Sequence, residues 1–524
     1  MRAKIRLMAL ATAVALAMSA TAEAKTFRWA NDGDVNSMDP YARNETFLLS
    51  FLGNIYEPLV RRDENLKVEP ALAVSWSNPT PETWRFKLRP NVKFHDGTPF
   101  TADDVVFSVQ RAQAPGSNVG TKVASVKEVR KIDDLTVDFI TSVPNPILIE
   151  EITDLYIMSK AWAEKHNAVR SADLTKREEN YATRNANGTG PFMLVAREPD
   201  RRTVLKPNPN WWDTPKHNLT EVEFVVIAND ATRVAALLSG QVDMVYTVPP
   251  QDTQRISQTA GVRILQKPET RVVFLGFDQY RDELLKSNVK GKNPFKDVRV
   301  RKAFYQAIDI EAIRNRVMRG QALPTALLIG TMIRGYDESV NKRHPYDPAA
   351  AKQLLAEAGY PDGFTVGMDC PNDRYVNDEA ICQAVAAMLA RIGVKVELNA
   401  QTRAKYFAEI LGLNTSFYML GWAPSSYDAH NVFFNLMATR EGNRGQFNLG
   451  RYSNKRIDEI TEAIASEIDD KKRNELIAEG LRIHHEDVGH IPLHQQFVVW
   501  AVRDNVEVVQ LADNFFPLRF VRVK

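Results

Sequence analysis

The chain has 524 residues, 44% hydrophobic and 25% charged, with 27 Pro, 25 Gly and 2 Cys. These values exclude a disordered chain, collagen and a disulfide-dense miniature scaffold, and the length predicts about two to four domains. Sixty-seven basic against 65 acidic side chains leave +2. No strongly basic body exists to neutralise phosphates, which argues against nucleic acid as a partner.

Arg2, Lys4 and Arg6 precede an apolar run from Leu7 to Met18, interrupted only by Thr12, and the segment ends in Ala22-Glu23-Ala24. A basic start, a short apolar middle and a small-residue exit predict a cleaved secretory signal, residues 1–24. The run is well short of the roughly 20 residues that span hydrocarbon. The expected mature chain starts at Lys25 and works in a periplasm, with no lipid attachment because no cysteine lies near the exit.

Further on, strands and helices alternate. Trp84–Leu88 alternates apolar and polar residues as a half-buried strand does, and His95-Asp-Gly-Thr98 supplies a turn. Thr101-Ala-Asp-Asp104 has the form of a capping box, with Asp where Glu is commoner, and predicts a helix to about Gln113. Asp230 is expected to cap a helix stopped by Gly240, followed by a strand from Val242 to Tyr246. Asp297 opens a helix with apolar residues at Val300, Ala303, Phe304, Ala307 and Ile308. Asp347-Pro348 opens another, with Gly359 past its end.

Residues 364–399 read as a complete unit. Phe364, Val366 and Met368 alternate as a strand. Ile381, Val385, Met388, Leu389 and Ile392 mark one helix face, closed by Gly393, and Val394, Val396 and Leu398 alternate again. Strand, helix, strand at these lengths is a βαβ unit and implies a parallel sheet. Ligands of such sheets sit beyond the carboxyl ends of the strands. Two loops lie at such ends: Cys370–Asn377, and Gly421–His430 after a strand from Ser416 to Leu420. Cys370 and Cys382 are separated by 12 positions, one at a strand end and one on a helix. Export permits a disulfide, and two buried thiols are the other reading.

Catalytic signatures are absent: there is no G-x-S-x-G elbow, phosphate loop, H-E-x-x-H or dinucleotide fingerprint. His484, His485, His490 and His494 cluster in sequence. Pro492 breaks the helical spacing of the last two, so surface or core histidines are the expectation rather than a metal site. Asp103 and Asp104 are explained by helix capping. No enzyme activity, cofactor or metal is therefore predicted.

Several stretches resemble the solute-binding proteins of bacterial ABC importers, in the class that includes dipeptide-, oligopeptide- and nickel-binding members. They are Ala71–Ser77 with Trp84–Ser108, Gly188-Thr-Gly-Pro-Phe192, Asn210-Trp-Trp212, Ala235–Met244, Val298–Phe304, and Tyr346-Asp-Pro348 leading to Leu354–Tyr360. They run in the family's order over nearly the whole mature chain. The resemblance implies an α/β, type II periplasmic-binding-protein fold with a hinged cleft between two lobes and an extra inserted domain. The implied division is domain I from 25–58, 190–272 and 498–524, domain II from 59–189 and domain III from 273–497. It further implies a monomer that closes over a small solute and delivers it to membrane permeases, whose separate ATPase subunits hydrolyse ATP.

The expected solute is peptide-like. In peptide-binding members a Gly-Trp pair is followed by an aspartate that holds the peptide's ammonium. Here Gly421-Trp422 is kept, but that aspartate's position falls on Ser425. A hydroxyl does not supply the charge-assisted bond, valued at about 1.5–3 kcal/mol. Asp428, three residues on, is the nearest substitute, although the resemblance matches it more closely to a second family aspartate, read as structural. Arg374 lies near the arginine that takes a dipeptide's carboxylate, Tyr375 beside it, and Trp422 is the expected stacking wall. Asn36, from the loop after the first strand, faces the cleft in relatives, and Asp39 is expected to be mainly structural. The Ser425 departure supports a second reading, import of a carboxylated non-peptide such as an opine, a modified amino acid or a sugar conjugate. A third, from another class, is an exported hydrolase or chaperone on the same scaffold.

Overall fold

The structure is a computed structural model that describes residues 25–524 apart from Arg177 and Asn443. The expected export signal lies outside the described residues. Among them, no helix is long and apolar enough to cross a membrane.

Strand β1 (Thr26–Asn31) buries Phe27 and Trp29 in the largest core. A short hairpin, β2 (Val60–Arg62) with β3 (Val68–Pro70), leads into an antiparallel sheet of β4 (Ala73–Thr80), β5 (Thr83–Leu88), β6 (Val126–Asp133) and β7 (Thr136–Thr141). Their order is β4-β5-β7-β6, and Phe86 and Phe139 meet at 5.0 Å on the covered face. The helix Ala102–Gln113 packs on it and starts as the sequence predicts, with the Thr101 amide donating to the Asp104 carboxylate at 2.9 Å. From that helix Arg111 reaches Asp39 with two bonds of 2.8 and 2.6 Å, both side chains fully buried. Asp39 is therefore a structural anchor between β1 and the four-stranded unit.

Strands β8 (Phe192–Glu198), β9 (Arg202–Pro207) and β10 (Glu221–Val226) extend β1 on one side, and β11 (Met244–Val245) joins it on the other. Two details differ from the sequence reading. Asn229, not Asp230, caps the helix Asp230–Leu238 by accepting from the Thr232 amide, because a cap sits just outside the first turn. The strand expected over 242–246 is confined to β11.

The sheet continues with β12 (Val262–Phe277), β13 (Ala322–Pro324), β14 (Thr365–Pro371), β15 (Lys395–Gln401), β16 (Phe417–Trp422) and β17 (His490–Arg503), and a last pair, β18 (Val506–Glu507) with β19 (Arg522–Val523), lies apart from it. Eleven strands among the described residues form one sheet, ordered β15-β14-β16-β12-β17-β11-β1-β10-β9-β8, with β13 on β17. The βαβ unit is present as read: β14 and β15 pair in parallel around the helix Asp378–Ala390. The helices Val298–Ala307 and Pro348–Glu357 also begin at Asp297 and Asp347, each accepting a bond from the first turn.

Only β12 and β17 run through both wings of the sheet. At roughly 3.4 Å per residue, a 16-residue strand is about three times the usual length, so its two ends serve different neighbourhoods. Val262–Pro268 pairs with Phe497–Arg503 on the β1 side, and Val272–Phe277 pairs with both β16 and the start of β17. The register shifts between Pro268 and Val272. Such a shift leaves residues unpaired in the ladder and re-aims their side chains, here Glu269, Thr270 and Arg271 at the junction of the wings.

Candidate functional site

The two loops read from the sequence meet at the carboxyl ends of β14 and β16. Tyr375 makes the contact. Its ring lies so close to Gly421 that a Cβ there would sit 2.7 Å from Cε1, and its hydroxyl donates to the Gly421 carbonyl at 3.4 Å. Glycine is required by this approach, not by an unusual backbone angle. Tyr375 is 7% exposed, so it joins the loops and does not offer its ring to a solute, contrary to the sequence expectation.

The Cys370–Asn377 loop is held from three directions. Cys370 is disulfide-bonded to Cys382 on the following helix. The Asp378 carboxylate accepts from the amides of Arg374 and Tyr375, both at 2.9 Å. The Gln496 side chain, from β17, accepts from the Val376 amide at 3.0 Å. With its backbone fixed this way, Arg374 projects a half-buried guanidinium, 5.1 Å from the Tyr375 ring centre, that makes no hydrogen bond to another described residue. Burial first, then the neighbouring charge of Arg271, lowers its pKa from the ordinary arginine value.

At the end of β16, Trp422 is half-buried, with Phe447 4.7 Å from its ring centre and its indole N–H donating to Asn431 at 2.9 Å. Asn431 also donates to the Ser425 hydroxyl at 3.3 Å, so one amide orients both residues. Ser425 is exposed and carries no charge, as the sequence indicates.

Asp428 does not replace the missing aspartate. It is fully buried, its two oxygens accept from Arg473 at 2.7 and 2.8 Å, and it caps the next helix through the His430 amide at 2.8 Å. No acceptor faces outward, so the sequence expectation of a solute contact is corrected. Asn36 lies exposed on the loop after β1. Among the histidines, His484 and His490 are hydrogen-bonded to each other at 3.0 Å, His485 stacks on His344 at 4.3 Å, and His494 is buried elsewhere on β17.

Three residues were missed by sequence reasoning: Glu269 and Arg271 at the register shift of β12, and Gln496 on β17. Gln496 donates to Glu269 at 3.0 Å while accepting from Val376, and Glu269 faces the Arg271 Nε at 3.3 Å. The wings also touch directly. The Tyr427 hydroxyl donates to Asp513 at 2.6 Å, Arg62 lies 3.7 Å over the Tyr427 ring, and the Thr270 amide donates to Ala512 at 2.8 Å. Beside them opens a recess of about 370 Å³ lined in part by Arg62, Glu150, Thr331 and Tyr427. A small polar molecule fits such a volume, whose lining mixes charged, hydroxyl and aromatic groups but includes neither Arg374 nor Trp422.

Residues 67–444 match the model of the bacterial extracellular solute-binding proteins, family 5 middle region. The dipeptide-binding protein of Escherichia coli K12 is 27% identical over 526 residues, covering 94% of this chain and 94% of that protein. The periplasmic binding protein DppA of Helicobacter pylori, solved with the peptide STSA, superposes with a TM-score of 0.78 at 23% identity, covering 95% of this chain and 98% of that one. AgaA of A. tumefaciens R10, solved with agropinic acid, gives 0.77 at 23% identity, with 95% and 99% covered. The chain belongs to the family 5 bacterial extracellular solute-binding proteins.

Proposed function

We propose that this protein captures peptides in the periplasm and hands them to the permease subunits of an ABC importer, acting as a monomer and leaving ATP hydrolysis to separate subunits. Family membership and the relative named for dipeptide binding support this role. The observation that carries it is the Arg374 guanidinium, fixed by its backbone, without a hydrogen bond to another described residue, and carried by the loop that Tyr375 joins to Gly421 beside Trp422. A guanidinium is the group that takes a terminal carboxylate in a two-point bond.

In this reading residues 25–58, 190–272 and 498–524 form domain I, residues 59–189 domain II and residues 273–497 domain III. The two long strands β12 and β17 are the hinge, and Tyr427–Asp513 closes the mouth. Residues 1–24 are the export signal. A non-peptide carboxylated solute such as an opine is the second reading. Ser425 in the place of an acid favours it, and a structural neighbour was solved with agropinic acid.

Titrating the purified protein with a panel of di- and tripeptides, followed by tryptophan fluorescence, tests the proposal. Saturable shifts with peptides, and recovery of each peptide unaltered by mass spectrometry, are expected. Silence with every peptide while an extract component shifts the signal opposes the peptide reading, and turnover of the bound molecule opposes the transport role.

A further inference from the structure

The junction of the two wings carries more positive charge than the capture of one carboxylate needs. Arg271 is 9% exposed on β12, and among the described residues its one ionic partner is Glu269, met through Nε at 3.3 Å. The rest of its guanidinium makes no hydrogen bond to another described residue. Glu269, 4% exposed, is shared: it also accepts from Gln496, which holds the Arg374 loop through Val376. Glu269 thus meets Arg271 directly and the Arg374 loop through Gln496, and the charges of both Arg271 and Glu269 act on Arg374. Arg403, exposed at the start of the next helix, adds a third cation near Arg374. Asp373, the acid beside it, accepts from the Arg403 backbone at 2.5 Å.

Keeping the buried Arg271 guanidinium and the half-buried Arg374 guanidinium with a single carboxylate near them costs free energy that a bound anion returns. Ser425, in the Gly421–His430 loop, offers no negative charge to a cation. We propose that Arg271 and Arg374 form a two-anion receptor, so that the preferred solute bears two negative groups: in the peptide reading on which this rests, a peptide with an acidic side chain in addition to its terminal carboxylate. Arg374 takes one anion and Arg271 the other, and Glu269 spaces and orients the two guanidiniums.

The test is calorimetric, at neutral pH and moderate salt, with the isosteric pairs Ala-Glu against Ala-Gln and Glu-Ala against Gln-Ala. Each pair differs by one charge and almost nothing in shape. At least one acidic peptide is expected to bind about tenfold more tightly than its amide. In Arg271→Gln that ratio falls to near unity. Equal binding of acids and amides by the unaltered protein overturns the inference and leaves the peptide reading intact, and so does a ratio that persists in Arg271→Gln. Binding of glutarate, dependent on Arg271, with no binding of any peptide, sustains the two-anion receptor and defeats the peptide reading. The comparison within the unaltered protein needs no variant to fold.

Discussion

Asp428 and Arg473, 45 positions apart, are joined by two hydrogen bonds of 2.7 and 2.8 Å between side chains that are 0% and 1% exposed. The pair fixes the start of the helix after the Gly421–Asp428 loop to the C-terminal helix Asp470–Glu486. Asp428 thereby positions Trp422 and Ser425 without touching what they touch.

Breaking the pair from one side leaves a buried, unpaired charge. Asp428→Asn is therefore expected to lose about 3–5 kcal/mol of stability. Urea unfolding measures this, and solute affinity of the folded fraction should change far less. A large loss of affinity at unchanged stability would return Asp428 to the solute contacts.

Gly421→Ala places a methyl 2.7 Å from the Tyr375 ring. The ring is hemmed in by its own buried surroundings, so the loops must part. Overpacking of this kind costs about 1–3 kcal/mol, and separation of the loops should weaken solute binding as well. Thermal unfolding and calorimetry of the variant read both effects.

The Cys370–Cys382 bond closes a loop of sequence separation 12 around Arg374. Loops of this size gain about 3 kcal/mol from cross-linking in the chain-entropy model. Unfolding with and without reductant should differ by that order. Affinity should fall too, because the strand end that carries the Arg374 loop loses its tie to the helix.

His494 is fully buried with neither ring nitrogen hydrogen-bonded to another described residue, and burial, then the charge of Arg343, lowers its pKa from 6.5 to about 3. The unfolded chain binds this proton more readily, so the stability His494 contributes is complete above pH 6.5 and is lost as pH falls towards 3. The expected slope is about 1.4 kcal/mol per pH unit for one such group. The difference between the unaltered protein and His494→Leu, measured by denaturation across that range, should show this slope. A flat difference would mean the imidazole is already charged or solvated.

Elements governed by local signals were legible in the sequence. The Thr101–Asp104 cap, the Asp347-Pro348 start and the βαβ unit at 365–401 each depend on residues within a few positions or on a sustained period, and each is present. The site's two loops followed from the strand ends. What could not be read depends on distant partners. Asp428 was open between a solute contact and a structural aspartate, and only Arg473, 45 positions away, decides for the second. Tyr375 looks like a ligand contact until Gly421 is seen beneath it. Glu269 and Arg271 sit inside a strand whose register shift has no signature in a single segment, because it arises where two strands change neighbours. The disulfide was open for the same reason: sequence separation does not fix the direction of two Cβ atoms.

The central claim is that a solute's anionic group docks on Arg374 between the two loops. Calorimetric titration of a peptide that binds the unaltered protein, repeated on Arg374→Gln, tests it most directly. Loss of the charge-assisted contact predicts a Kd raised about tenfold or more with an unchanged thermal midpoint in the unliganded protein. An unchanged Kd, with the variant folded, would contradict it.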